Sequence, residues 1–247
     1  MKLNTISLLI ICLLSFIISR RKFKNKSCNL YTDKMSDEDK AIIVSTHNEY
    51  RNQVALGTSG TNLAFATNMI QMYWSEELAV KAQEWADKCR ARNSSNRAHP
   101  KFKVGENIHK LETTGGDPKP EWKKSIDAWF AQSKSFDGKS IKKFRIGGVD
   151  TGSFTQLIWA NSYWVGCGFA KFKTVKNTDM SFYVCHYGPK GNNLNLPIYS
   201  DAQAAGCTCL SGISCGNAKY KGLCCPSGYC EEKNLVYGGE PFPGTTQ

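Results

Sequence analysis

Hydrophobic positions recur at helical spacing in three stretches of the chain. In the first, Ile42, Ile43, Thr46, Tyr50 and Val54 fall on one face, the pattern of a half-buried helix. Ser36 precedes it as a cap, and Asp37, Glu38 and Asp39 fill the first turn, where the helix dipole favours negative charge. Gly57, Ser59 and Gly60 end it in a loop. In the second stretch Ser75 caps, Glu76 and Glu77 follow, and Leu78, Ala79, Ala82, Trp85, Ala86 and Cys89 form an i, i+3, i+4 stripe, which turns Cys89 inward. The third follows Pro120 and aligns Trp122, Ile126, Trp129, Phe130 and Ser133. Aromatics at that spacing are expected to pack in a core.

Strand patterns follow. Residues 104–111 read as a short strand, and residues 169–173 and 180–187 as partners joined by the turn Asn177-Thr178-Asp179. Cys167 and Cys185 lie one on each late strand. Upstream, Phe154, Leu157, Ile158 and Trp159 are expected to build the sheet and its packing. Residues 113–120 hold Gly115-Gly116 and two prolines and must be a loop. Residues 139–150 form a basic loop, and 188–206 are irregular. Residues 207–230 are too short for a core of their own and depend on disulfides. The tail, 231–247, reads as flexible.

Composition narrows the compartment and the partners. At 247 residues, with 41% hydrophobic and 21% charged, the chain fits one medium domain with appendages. Its formal charge is +11, yet no nucleic-acid motif or aromatic-basic stripe accompanies it, so nucleic acid is not an expected partner. Residues 1–19 read as a signal peptide: Lys2, an apolar run, then the small Ser19. The run approaches the lower limit for an anchor, and Arg20, Arg21, Lys22, Lys24 and Lys26 would suit the cytoplasmic side of one. The cysteines argue against that. Ten lie downstream of Cys12, six of them from Cys207 to Cys230, a density that belongs to an oxidising compartment. The expectation is a secreted, extracellular protein with no stable membrane insertion after signal cleavage. Sequons at Asn25 and Asn93 are candidate glycosylation sites.

Four blocks then carry a family resemblance. They are His47-Asn48-Glu49-Tyr50-Arg51 with Val54-Ala55-Leu56-Gly57; Asn68-Met69 to Trp74 and on to Trp85-Ala86-Asp87-Lys88-Cys89; Gly105-Glu106-Asn107; and Cys185-His186-Tyr187-Gly188-Pro189-Lys190-Gly191-Asn192. In this order they resemble the CAP superfamily (the SCP domain), which includes cysteine-rich secretory proteins and venom antigen-five allergens. The end of the chain, with Ile198-Tyr199, Cys207-Thr208-Cys209, Cys215 and Gly222-Leu223-Cys224, is similar to the hinge of nematode venom allergen-like, Ancylostoma-secreted-protein-like members. The resemblance implies an α+β fold, a three-layer α-β-α sandwich with a small disulfide-rich C-terminal hinge module. It divides the chain into a lead at 20–36, a CAP domain at 37–196 and the module at 197–230. It suggests disulfides Cys28–Cys89, Cys167–Cys185, Cys207–Cys215, Cys209–Cys224 and Cys225–Cys230, although six cysteines in the module leave many connectivities open.

The resemblance also implies a central cleft with two histidines and two glutamates that can hold zinc. Carried onto this sequence, those positions are His99, Glu106, Gln132 and Ser153, so half the tetrad is replaced. Zinc takes imidazole, thiolate or carboxylate; His99 and Glu106 alone make a weak metal site, with His109 and His47 as distant helpers. His47 sits within a helix motif and is expected to be a hydrogen-bonded core residue. Ser153, His99 and Glu106 could be read as a serine hydrolase triad, but Thr151-Gly152-Ser153-Phe154 is not a nucleophile elbow. No catalytic residue and no cofactor is therefore expected. The leading expectation is a non-enzymatic binding protein, a venom allergen-like effector or immune modulator acting on a host or extracellular protein. The alternative is a sterol or fatty-acid carrier, with Ile42, Ile43, Tyr50, Trp129 and Phe130 lining a slot.

Overall fold

The computed structural model describes residues 28, 30–31, 33, 35–95, 97–113, 119–147, 149–209, 213–216, 219–226 and 230. The expected signal peptide (residues 1–19), Asn25 and the tail from 231 lie outside the described residues. Helix α1 (Asp37–Ala55) opens with a complete capping box: Asp39 N–H donates to Ser36 Oγ, and Ser36 N–H donates to the Asp39 carboxylate. Helix α2 (Glu76–Ala86) is capped by Ser75 Oγ, which accepts from Leu78 N–H. Helix α3 (Trp122–Ala131) runs into a 3-10 turn, Gln132–Ser135.

The segment after Gly152 departs from expectation. It is a short helix, α4 (Gly152–Leu157), rather than part of the sheet. Phe154, Leu157 and Ile158 fall at i, i+3 and i+4 and are wholly buried, and a short apolar run of this kind carries either period. The Thr155 hydroxyl lies 3.2 Å from the Thr151 and Gly152 carbonyls one turn back, as Thr does in helices, and 2.8 Å from Asn192 Oδ1, its shortest acceptor.

Among the described residues eight strands follow in chain order: β1 (Phe65–Ala66), β2 (Tyr73–Trp74), β3 (Gly105–Thr113), β4 (Trp164–Lys173), β5 (Asp179–Gly188), β6 (Asp201–Ala202), β7 (Ile213–Cys215) and β8 (Cys224–Pro226). The central sheet runs β2-β4-β5-β3, with β2 parallel to β4 and the other pairs antiparallel. Pleating divides its side chains into two sets. On one face Ala170, Phe172, Met180, Phe182 and Val184 pack with Ala82, Trp85 and Ala86 of α2. On the other, Val165, Cys167, Phe169, Tyr183, Cys185 and Tyr187 join Ile43, Trp122, Ile126, Trp129 and Phe154 from α1, α3 and α4. Helices thus cover both faces, giving an α+β, three-layer α-β-α sandwich. On the α2 face Gly166 and Gly168 admit the helix: a Cβ at Gly166 would overlap Ala79 N and Ser75 O, and one at Gly168 would overlap Gln83 N.

The His47-Asn48-Glu49-Tyr50-Arg51 block is structural. Asn48 exchanges two hydrogen bonds with the Met72 backbone. Arg51 is fully buried and donates to the carbonyls of Ile70, Leu157, Trp159, Ala160 and Ser162. One guanidinium therefore gathers the two loops that lead into β2 and β4, using its fixed fork of donors.

Disulfides link Cys28 to Cys89, Cys167 to Cys185, Cys207 to Cys215, Cys209 to Cys224 and Cys225 to Cys230. The C-terminal module packs on the domain. Gln71 N–H donates to Cys224 O, Cys224 N–H to Met69 O, and Gly222 N–H to Asn52 Oδ1, while Tyr199, Tyr220 and Leu223 enter the main core.

Candidate functional site

The register of β3 and β5 sets Glu106 opposite His186. Their side chains are 1% and 0% exposed, and His186 Nε2 lies 3.1 Å from Glu106 Oε2. Three more donors close on the same carboxylate from the loop after α2: Ser94 N–H at 2.9 Å, Arg97 Nη1 at 2.9 Å and Asn93 Nδ2 at 3.0 Å. Burial alone would push the Glu106 carboxyl up, but bonds from His186 and Ser94 outweigh it and hold its pKa at about 2. The carboxylate is ionised and its oxygens are taken. Its role in this geometry is to clamp the 93–97 loop to the sheet.

A second network lies on the α1 and α4 side. His47 Nδ1 is 2.7 Å from Ile43 O and must carry the proton, so Nε2 accepts from the Tyr187 hydroxyl at 2.9 Å. Tyr187 in turn accepts from Asn107 Nδ2 at 3.1 Å, and Asn107 also donates to the Ser153 carbonyl at 2.9 Å. Burial lowers the His47 pKa to about 4, which keeps the ring in the neutral form this relay needs. Gln132 Oε1 accepts from the N–H groups of Ser153 and Phe154 at 3.1 and 3.0 Å. It therefore caps the start of α4.

The expected cleft quartet is not brought together. Glu106 and Asn107 are successive strand residues and point to opposite faces. Asn107 faces Ser153, whereas Glu106 faces the loop after α2. Gln132 and Ser153 do meet, through backbone amides. His99 is elsewhere: its Nε2 lies 3.2 Å from Glu77, its Nδ1 accepts from Lys101 N–H, and its ring stacks on Phe102 at 3.7 Å. His99 and Glu106 are thus engaged separately, and the donors present do not fit a shared zinc ion. Among the described residues one group has metal-ligand spacing, Cys207, Cys209 and Cys215, and these sulfurs are in disulfides. His109 Nδ1 lies 3.1 Å from Ser125 Oγ, but Ser125 is buried at 1% exposure and cannot meet a substrate. Asn93 is exposed and uses one amide hydrogen on Glu106.

Sequence reasoning passed over Arg97, Ser94, His186, Asn107 and Tyr187 as site residues. The signal for His186 was present in principle: pairing residues 105–113 with the strand carrying Cys185 sets Glu106 beside it. The loop donors needed the path of the chain after α2.

Residues 44–187 match the CAP family, described as the cysteine-rich secretory protein family. A "CRISP/Allergen/PR-1" protein of Trittame loki is 37% identical over 83% of this chain and 52% of its own, so the chain spans about half the length of that relative. "Scoloptoxin SSD976" of Scolopendra dehaani is 33% identical over 80% of this chain and 89% of its own length. Among solved structures, Na-ASP-1 superposes with a TM-score of 0.65 at 28% identity, covering 81% of this chain and 50% of that one. NaASP2, solved with Zn2+, gives 0.63 at 28% identity, covering 78% and 98%. With the sandwich and the four blocks already described, the chain belongs to the CAP family of cysteine-rich secretory proteins.

Proposed function

We propose that this chain is a secreted, non-enzymatic binding protein of the venom allergen type, acting on an extracellular protein partner. The observation that carries the reading is the use already made of the cleft residues. Glu106 is saturated by four donor groups, Gln132 caps α4, and His99 is held by Glu77. No helix of the described residues is long and apolar enough to cross a membrane. Asn93 is the glycan acceptor this reading expects among the described residues.

The test uses the secreted, oxidised protein. Calorimetric titration with zinc is expected to give no sub-micromolar binding, and an active-site serine probe is expected to leave the protein unlabelled. Sub-micromolar zinc binding that is lost in His99→Ala, or labelling that is lost in Ser153→Ala, would overturn it.

A second reading, fatty-acid carriage, has one observation in its favour. A pocket of about 370 Å³ opens where α1 meets α3, lined by Ile42, Pro120, Trp122 and Lys123 among others. The rest of the expected slot is closed. Tyr50 stacks on Phe130 with centroids 3.9 Å apart, and Ile43 and Trp129 are buried in the core. Saturable palmitate binding abolished by Ile42→Asp would favour this reading over the first.

A further inference from the structure

One stretch of surface combines exposed hydrophobic side chains with cations that have no acidic partner. Of the seven exposed large hydrophobics among the described residues, four lie on two adjacent segments: Ile146 at 80%, Val149 at 59%, Leu194 at 58% and Leu196 at 53%. Backbone bonds stitch the segments together. Phe144 N–H donates to Leu196 O at 2.8 Å, Asn195 N–H to Phe144 O at 2.9 Å, and Ile198 N–H to Ile141 O at 2.8 Å. Ile141 and Phe144 are buried, and Phe144 meets Trp159 edge-on at 5.7 Å. The anchors hold these segments to the core while Ile146 and Val149 are left outside.

A pocket of about 460 Å³ lies here, with Arg145, Ile146, Val149, Lys190 and Asn192 in its wall. Lys139 and Lys142 pair with Asp137 and Asp201, whereas Lys143, Arg145 and Lys190 have no ion pair among the described residues. Asp150, the carboxylate in the wall, accepts from Gly152 N–H.

A concentration of exposed apolar side chains marks a surface that something covers. The core of a protein interface is enriched in aromatics and depleted of lysine; this surface has exposed aliphatics and free cations. A phospholipid interface matches both, offering phosphates to the cations and a shallow apolar layer to the aliphatics. The formal charge of +11 would draw the protein to such a surface. We propose that Lys143, Arg145, Ile146, Val149, Lys190 and Leu196 form a docking face that seats this protein peripherally on an anionic phospholipid bilayer. The face lies apart from the pocket between α1 and α3, and the inference does not depend on the protein-partner reading.

The test is co-sedimentation of the secreted, oxidised protein with vesicles of phosphatidylcholine alone or with about 30% phosphatidylserine. Binding is expected only to the anionic vesicles and should fall as salt rises. With each basic residue near the surface contributing about fivefold, the Lys143→Ala/Arg145→Ala/Lys190→Ala variant should bind about a hundredfold more weakly. Ile146→Ser/Val149→Ser should lose about tenfold with all charges in place. Lys143, Arg145, Ile146 and Val149 are exposed and Lys190 is half-buried, and a wild-type thermal midpoint in each variant is the control for folding. Equal binding to neutral vesicles, or wild-type binding by both variants, overturns the proposal. So does retention on a sulfated polysaccharide with no vesicle binding.

Discussion

Replacing Arg51 tests the claim that one buried guanidinium organises the two loops around it. Trp159 O also accepts from Ser162 N–H, and Ala160 O from Ile70 N–H, so both keep a donor when Arg51 is lost. The carbonyls of Ile70, Leu157 and Ser162 have no other backbone donor among the described residues. Arg51→Met leaves these three buried without partners, at about 1–3 kcal/mol each. Relief of the desolvation of a buried charge offsets part of that sum, and the expected net loss is about 4 kcal/mol. This is a large share of the ~5–15 kcal/mol that typically separates folded from unfolded protein. Arg51→Lys keeps the charge but replaces a planar fork by a point ammonium with fewer donors, and should lose about 2 kcal/mol. Urea unfolding followed by tryptophan fluorescence, with the disulfides intact, reads both. With a slope of about 2 kcal/mol per molar, the midpoints should fall by about 2 M for methionine and about 1 M for lysine. If the Arg51→Met midpoint lies within about 0.3 M of wild type, the reasoning is wrong.

Two further outcomes follow from the geometry. Glu106 titrates at about 2 in the folded protein, below its ordinary 4.5; its stabilisation is therefore present above pH 4.5 and disappears as pH falls towards 2. The full effect is about 3 kcal/mol, and unfolding free energies measured across that range should show it in wild type and lack it in Glu106→Gln; the same acid slope in both would refute the clamp. Gly166→Ala places a methyl against the α2 backbone, where no flexible side chain can give way, and should cost about 2 kcal/mol or more. Calorimetry should show a fall of several degrees, and a melting temperature within about 2 °C of wild type would contradict the close approach.

The helices were legible because each carries a single apolar period, and α1 and α2 a serine cap as well. Ser36 and Ser75 cap where their sequence context says they should, and the stripes of α2 and α3 are buried as spaced except at Cys89, which lies past the end of α2, half-buried and at positive φ. The late hairpin was legible from its turn and the two apolar runs beside it. The short helix α4 was not, since Phe154, Leu157 and Ile158 suit a helix face as well as a buried strand. At the site, His47 could be read as a core residue from its place in α1. His99 could not be placed, because its position depends on how the loop after α2 crosses the sheet edge. Glu106 was singled out, but its partners come from a loop and from the neighbouring strand. Adjacent numbering hid that Glu106 and Asn107 serve opposite faces.

The contact between the C-terminal module and residues 69–71 bears on solubility as well as on packing. Strand β2 is an outer strand of the central sheet, and in the segment leading into it Met69 O and Gln71 N–H are paired, among the described residues, by Cys224 alone; left unpaired, they would form the kind of edge on which chains associate. Cys224 already occupies that segment, running parallel beside Ile70. The Cys209–Cys224 bond therefore acts at a distance from its own loop, because it helps to keep a strand in place over an edge that a second molecule could otherwise take. Loosening the module by reduction would free Met69 O and Gln71 N–H for such pairing.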